Sequence, residues 1–339
     1  MRYLRDIGGS LSGKTCLVRT NLDIADPHPD SLRIEKAVPT IKFLLEYGAK
    51  PIIISHRGKP KGKTTKNNPI FSLKPAIDIL SKKLGQELEW RENLRLDPRE
   101  EKNDSAYAKK LAVGADIYIN DDFATSHHEA ASLSAITRFL PSYAGLLLQD
   151  EIKALSAVRD NPKKPLVVII GGIKMEDKIR VIEYLKNKAD WFLLGSAYGA
   201  IRETLFTPRS SHSEVVPHNA HIILPIDFTK EKDAPRDIGP KTIKHYSDII
   251  ATARTIIWNG PLGNVEKSAY AAGSEAIARA ILASKALSVV GGGDTVDFLT
   301  RNNMLKKFSF ISTGGGAMLA FLAGKELSGL VALDNCPLV

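Results

Sequence analysis

Ser288-Val289-Val290-Gly291-Gly292-Gly293-Asp294-Thr295-Val296 decides how the rest of the chain is read. A β-branched run reaches three glycines, an acid and a hydroxyl, and Val296-Asp297-Phe298-Leu299 then opens a helix-like pattern. Glycine lets the backbone turn tightly and approach a ligand, and the free N–H groups of a helix start face an anion with the positive end of the helix dipole. Asp294 would repel a bare phosphate but suits one that arrives with Mg²⁺, which takes carboxylate and phosphate oxygens together. Two readings stay open on this stretch alone: a metal–nucleotide site, or a glycine-lined turn with an aspartate cap.

Composition narrows the classes. The 339 residues are 43% hydrophobic and 25% charged, enough for substantial cores and long enough to favour two domains. A net charge of +9, from 47 Lys and Arg against 38 Asp and Glu, points to anionic partners on a mixed surface. No basic and aromatic nucleic-acid module accompanies that charge. The start has no apolar signal core, and no apolar run is long enough to cross a bilayer, so a cytoplasmic protein is expected. Cys16 and Cys336 lie near opposite termini without metal-ligand spacing, and read as small packed hydrophobes.

Upstream of the opening stretch, Gly8-Gly9-Ser10-Leu11-Ser12-Gly13-Lys14-Thr15 satisfies the P-loop pattern letter for letter. Context argues against it, because a P-loop follows a strand and opens a helix, whereas Cys16 to Asp23 reads as a strand. Arg19, Asn21 and Asp23 alternate there and are expected to share one face. Arg33 to Leu45 reads as an amphipathic helix leading to the strand Pro51–Ile54, which starts a βαβ rhythm. Ser55-His56-Arg57-Gly58-Lys59-Pro60-Lys61-Gly62-Lys63 follows as a basic loop, either a phosphate clamp or a solvated surface. Asn120 to His128, with two acids and two histidines, reads as a polar loop lining a cleft in preference to a metal site. Gly145 to Val158 has helical periodicity, and the polar segment Arg159 to Pro165 marks a domain change. A second α/β series begins with Leu166–Ile170 and Gly171-Gly172-Ile173-Lys174, where Lys174 and Lys178 would share a helix face. Glycine-rich turns recur at Asn259-Gly260-Pro261, at Gly291 to Thr295 and at Gly314-Gly315-Gly316; on one edge of a parallel sheet they would form a phosphate-lined crevice.

The ordered set Val18-Arg19, Ser55-His56, Glu92-Asn93-Leu94-Arg95, Asn120-Asp121, Gly171 to Lys174, Leu224 to Phe228, Trp258 to Pro261, Gly291 to Thr295 and Ser312 to Gly316 resembles phosphoglycerate kinases over nearly the whole chain. The resemblance implies an α/β fold of two three-layer α/β/α, Rossmann-like domains with mostly parallel sheets. Their expected bounds are 1–148 for the phosphoglycerate-binding domain, 149–160 for an interdomain helix, 161–326 for the nucleotide domain and 327–339 for a returning tail. It implies a monomer that transfers a phosphoryl group between 1,3-bisphosphoglycerate and ADP, with Mg²⁺ accompanying ATP or ADP and hinge closure aligning the substrates. By resemblance Arg33, Lys174, Gly292, Gly293, Gly315 and Gly316 are catalytic. Asn21, Asp23, Arg33, His56, Arg57, Lys59, His128 and Lys164 bind the acid. Gly172, Lys174, Lys178, Asn259, Gly260, Pro261, Glu266, Gly291, Gly292, Gly293, Asp294 and Thr295 hold the nucleotide, with Asp294 on the metal.

Departures concentrate on the acid side. Lys59, His128 and Lys164 stand at expected phosphate-anchoring arginines, with Arg57 as a partial substitute, and the expected Asp and Asn of the first strand are exchanged as Asn21 and Asp23. Lysine lacks arginine's bidentate fork, and histidine is only partly charged near neutrality. These changes admit weakened 3-phosphoglycerate binding, another small carboxylate as acceptor, or a non-catalytic nucleotide-binding relative. Gly195-Ser196-Ala197-Tyr198 also departs from the expected glycine run, which leaves base preference open.

Overall fold

The computed structural model describes residues 1–60, 68–172, 176–201 and 221–337. The chain divides into two compact units: Met1–Ile152 with Glu326–Val339, and Lys153–Lys325. The helix Leu146–Asp160 begins in the first and ends in the second.

Unit 1 is built on five parallel strands, β1 (Thr15–Arg19), β2 (Lys50–Ile54), β3 (Glu89–Trp90), β4 (Ile117–Asn120) and β5 (Ser142–Ala144), in the order β3-β2-β1-β4-β5. Its central strands are buried on both faces, which is why β1 and β4 read as near-continuous apolar runs and not as alternating ones. Leu17, Val18, Ile53 and Ile119 lie in the sheet core, and the helices Leu32–Glu46 and Lys74–Leu84 add Ile34, Ile41, Leu44, Ile77 and Leu80. The order reverses direction between β1 and β4, and the crevice at such a switch point is where open α/β sheets take ligands. The P-loop lookalike is no phosphate loop: Leu4–Ser10 is 3₁₀ and Thr15 starts a strand, so no helix N-terminus faces it. The first strand is also shorter than expected. It ends at Arg19, so Asn21 and Asp23 belong to the loop beyond its carboxyl end and not to its face.

Unit 2 repeats the design with β6 (Leu166–Ile170), β7 (Trp191–Leu194), β8 (His221–Ile223), β11 (Thr255–Asn259), β12 (Leu287–Gly291) and β13 (Phe310–Ile311), all parallel, in the order β13-β12-β11-β6-β7-β8. An antiparallel hairpin of β9 (Phe228–Glu231) and β10 (Ala234–Ile238) is inserted between β8 and the helix Pro240–Thr252. The switch point lies between β6 and β11. No described helix is long and apolar enough to cross a membrane.

Candidate active site

In unit 1 the loops after β1, β2 and β4 meet at the switch point. Arg19, buried at the end of β1, is the cation at their centre: Nη1 lies 2.6 Å from Asp122 Oδ2 and donates to Thr20 O at 2.8 Å, while Nε donates to Ser132 Oγ at 3.0 Å. Its Nη2 lies 3.1 Å from His56 Nδ1. On the far side of the ring His56 Nε2 lies 3.5 Å from Asp23 Oδ2, and Asp23 Oδ1 accepts the Gly58 N–H at 2.7 Å. Asn21 donates from Nδ2 to Asp122 Oδ1 at 3.0 Å and accepts the Asp23 N–H at 3.2 Å. Arg33, in the first turn of the helix Leu32–Glu46, reaches the Asp23 carbonyl with Nη1.

The charges follow from those contacts. Burial opposes ionisation of Asp23, yet the His56 hydrogen bond and charge, the Gly58 N–H and Arg33 hold its carboxyl well below the usual range. Burial lowers the His56 pKa; Asp23 and Asp122 pull it up, and the charges of Arg19 and Arg95 push it down. An arginine N–H can only donate, so His56 Nδ1 presents a lone pair to Arg19 and its Nε2–H faces Asp23. Burial works against the charge of Asp122 as well, and Arg19 foremost, then His56, Thr125 and Asn21, keep it ionised.

The outer rim is basic. Lys59 and His128 are exposed, and the charges of Arg95 and Lys59 both reach His128, whose pKa is lowered by partial burial first and by Arg95 next. Arg95, in the motif Glu92-Asn93-Leu94-Arg95 but with no role expected from it, belongs to the same rim and has its Nε 3.4 Å from Glu101 Oε1. Asn93 Oδ1 accepts the Arg95 N–H at 3.1 Å, which fixes the turn after β3, and Arg95 Nη1 bonds the Gly58 carbonyl at 3.1 Å. The signal was its place: the 3₁₀ turn Leu94–Leu96 lies in the loop after β3, beyond the carboxyl end of a parallel strand.

One expected anchor does not fit, and a second belongs to unit 2. Arg57 is 6% exposed, with Nη1 on the Ser72 carbonyl at 2.7 Å and Nη2 on the Ala25 carbonyl at 2.8 Å, so it braces the loops and cannot stand in as a phosphate anchor. Lys164 precedes β6, at the amino end of the unit 2 sheet and away from its ligand edge, and pairs with Asp190 Oδ1 at 3.2 Å.

In unit 2 the loops after β6 and β11 cross in near contact. A Cβ on Gly171 would stand 2.0 Å from the Pro261 carbonyl oxygen and 2.5 Å from that of Gly260, both backbone atoms. The crossing is tied by Gly171 N–H to Asn259 O at 3.0 Å and Gly172 N–H to Pro261 O at 2.8 Å. Lys178, in the helix Glu176–Leu185, brings its ammonium to the Gly171 carbonyl, beside Gly172 and Gly260. Beyond β12, Gly292 (φ 97°) enters the helix Gly293–Arg301, and beyond β13, Gly315 (φ 41°) enters Gly316–Leu322; neither start is capped by a side chain. Gly293 and Gly315 have open space where a Cβ would be. Uncapped N–H groups at helix starts are anion donors.

Asn259 packs against Gly292, and Gly291 ends β12 below it. Thr295 is buried and accepts the Gly260 N–H at 3.0 Å, so it fastens one glycine turn to the other. Glu266 and Asp294 are exposed, Asp294 in the first turn of its helix. Lys174 lies outside the described residues. Among the described residues no three His, Cys, Asp or Glu side chains assemble a metal cage; an exposed carboxylate beside a phosphate cradle still fits Mg²⁺, which is held through one or two carboxylates and the substrate's own phosphates. The His127 and His128 rings lie tilted against each other at 39°, with centroids 3.9 Å apart.

Comparison with known proteins agrees with this architecture. The sequence model of the phosphoglycerate kinase family matches residues 4–91, 90–215 and 204–325. The phosphoglycerate kinase of Herpetosiphon aurantiacus is 38% identical over 393 aligned positions, covering 98% of each chain, and that of Chloroflexus aggregans 36% over 400, covering 98% of this chain and 99% of the other. Among solved structures, phosphoglycerate kinase from Coxiella burnetii superposes with a TM-score of 0.82 at 32% identity, over 96% of this chain and 97% of the other. The Pyrococcus horikoshii enzyme gives 0.82 at 28%, over 98% of both chains. Near-complete coverage, matching family segments and two doubly wound units place this chain in the phosphoglycerate kinase family.

Proposed function

We propose that the protein transfers a phosphoryl group between ATP and the carboxylate of 3-phosphoglycerate, reversibly, with unit 1 taking the acid and unit 2 the nucleotide. The observation that supports it is that each unit gathers anion-binding groups at the carboxyl ends of the strands flanking its own switch point.

No general base is needed. A carboxylate acceptor is already ionised at neutral pH, so catalysis reduces to alignment and to cancelling charge on the transferring group. Asn21, Asp23 and His56 orient the polar body of the acid, and Arg95, Lys59 and His128 hold its phosphate. Arg33 lies between the acid's carboxylate and the transferring group, where its fork cancels charge on both. On the nucleotide side Lys178, with Lys174, faces the phosphates. The N–H groups of Gly292, Gly293, Gly315 and Gly316 are preorganised donors for charge that develops in the transition state. Asn259, Gly260 and Pro261 form the wall behind the phosphates, and Glu266 is an acceptor for ribose hydroxyls. Asp294 would hold Mg²⁺, which supplies neutralisation of phosphate charge when bound.

A coupled assay with Mg-ATP and 3-phosphoglycerate, run beside Arg33→Ala and Lys174→Ala, tests this reading. Turnover that both variants lose supports it, and absence of turnover by the wild type overturns it. The exposed lysine and histidine at anchor positions favour one second reading, a preference for a different small carboxylate. A panel of acids in which 3-phosphoglycerate has the highest kcat/KM excludes that.

A further inference from the structure

Asp122 has no place in the reaction as described, yet it is fully buried at the switch point of unit 1. Its Oδ2 lies 2.6 Å from Arg19 Nη1 and accepts Thr125 Oγ1–H at 2.7 Å; its Oδ1 accepts Asn21 Nδ2–H at 3.0 Å and the Thr125 N–H at 3.2 Å. The resemblance puts an aspartate where Asn21 stands, so in this chain the carboxylate that answers Arg19 comes from the other side of the switch point. Held in this way, and by Ser132 Oγ, which itself donates to Glu100 Oε1 at 2.6 Å, Arg19 points Nη2 at His56 Nδ1. The ring can then carry its proton only on Nε2, toward Asp23. The groups facing His56 are Arg19 from β1, Asp23 from the loop after it, Asp122 from the loop after β4 and Arg95 from the turn after β3.

We propose that Asp122 is a positioning residue of the acid pocket: through Arg19 it fixes His56 as the neutral Nε2–H tautomer and thereby sets how Asp23 presents its carboxylate to the acid. The kinetic part of the proposal rests on 3-phosphoglycerate being the acid; the tautomer part does not. A buried arginine left without its counter-ion relocates or draws in water, and His56 Nδ1 then loses the donor that fixed it.

The test is long-range ¹H–¹⁵N NMR of ¹⁵N-histidine-labelled protein between about pH 6 and 8, with His56 assigned by its loss in His56→Gln. The wild type shows a single neutral Nε2–H form throughout; a Nδ1–H or protonated His56 at pH 7 overturns the proposal whatever the variants do. In Asp122→Asn, with wild-type circular dichroism and wild-type chemical shifts for the unit 1 core as a check on folding, the Nδ1 signal moves toward the protonated tautomer. The KM for 3-phosphoglycerate rises about tenfold, with kcat and the ATP KM within about threefold of wild type. Thr125→Val removes the hydroxyl that donates to the same carboxylate oxygen and accepts from Arg19 Nη2 at 3.4 Å, leaves the Asp122–Arg19 pair in place, and is expected to keep both tautomer and KM. An unchanged His56 in Asp122→Asn, or equal losses in Thr125→Val, contradicts the assignment. If the wild type turns over no 3-phosphoglycerate, the functional reading fails while the tautomer measurement still decides this one.

Discussion

On the proposed reading His128 faces the acid's phosphate, where a permanent positive charge would serve best. Partial burial and then the Arg95 charge lower its pKa below the ordinary histidine value, so the empty site carries little charge there at pH 7 and gains it only as the pH falls. His128→Arg is expected to lower the KM for 3-phosphoglycerate roughly fivefold near pH 8, by supplying a charge-assisted, forked donor. The ratio of wild-type to variant KM shrinks as the assay moves toward pH 6, because protonation then gives the wild type part of the same charge. A ratio independent of pH would show that His128 does not face the phosphate. Lys164→Ala is expected to shift stability by no more than about 0.5 kcal/mol, since an exposed pair with Asp190 is all it loses. At this scale the sequence was an uneven guide. His56 could be located from its motif, because it closely follows β2; Asp23 was expected on the strand and lies in the loop beyond it, while Lys178 lies in the first turn of the helix after β6. Arg57 could not be placed, because nothing in a residue's letter tells whether its guanidinium is already taken by carbonyls.

Among the elements, the crossing of the β6 and β11 loops is governed by backbone contact, and its glycines are required by space as much as by any ligand. Gly171→Ala must move the Gly260–Pro261 backbone, at a cost of roughly 1–3 kcal/mol or more, and should weaken ADP binding because the moved turn also carries Asn259 and the Lys178 contact. Thermal unfolding and calorimetric titration measure the two effects together. A helix start behaves differently at Leu146–Asp160. Asp121 Oδ1 accepts the N–H groups of Leu147 at 2.9 Å and Leu148 at 3.2 Å, while burial pushes the carboxyl up to about 7. The folded chain therefore holds a proton that the unfolded chain releases near pH 4, so stability falls as the pH rises from about 4 toward 7 and levels off above. Asp121→Asn keeps an acceptor for both N–H groups and should flatten that slope in urea titrations between about pH 5 and 8; an unchanged slope would assign the pH dependence to other groups. Parallel strands such as Leu166–Ile170 and Trp191–Leu194 were legible to the residue, because strands buried on both faces are unbroken apolar runs. The hairpin β9–β10 was not: Phe228–Glu231 and Ala234–Ile238 are half-exposed and polar, and their pairing turns on Lys232 and Asp233 at positive φ, which no composition signal marks.

At the scale of the molecule, the alternation of strands and helices was enough to reach two doubly wound units, since short connections and right-handed crossovers leave few other arrangements. Strand order was not legible. Knowing that β1 lies beside β4, and β6 beside β11, is what turns separate polar loops into two sites. The family membership establishes a kinase; the placing of its acid in unit 1 on Arg95, Lys59 and His128 is the claim that most needs a direct trial. The measurement is a calorimetric titration of 3-phosphoglycerate into the wild type and into Arg95→Ala, each also titrated with Mg-ADP. The account predicts one 3-phosphoglycerate site per chain in the wild type, lost or weakened at least about tenfold in Arg95→Ala, with Mg-ADP binding equal in both. Equal 3-phosphoglycerate binding in the two proteins, or none in a wild type that still binds Mg-ADP, would contradict it.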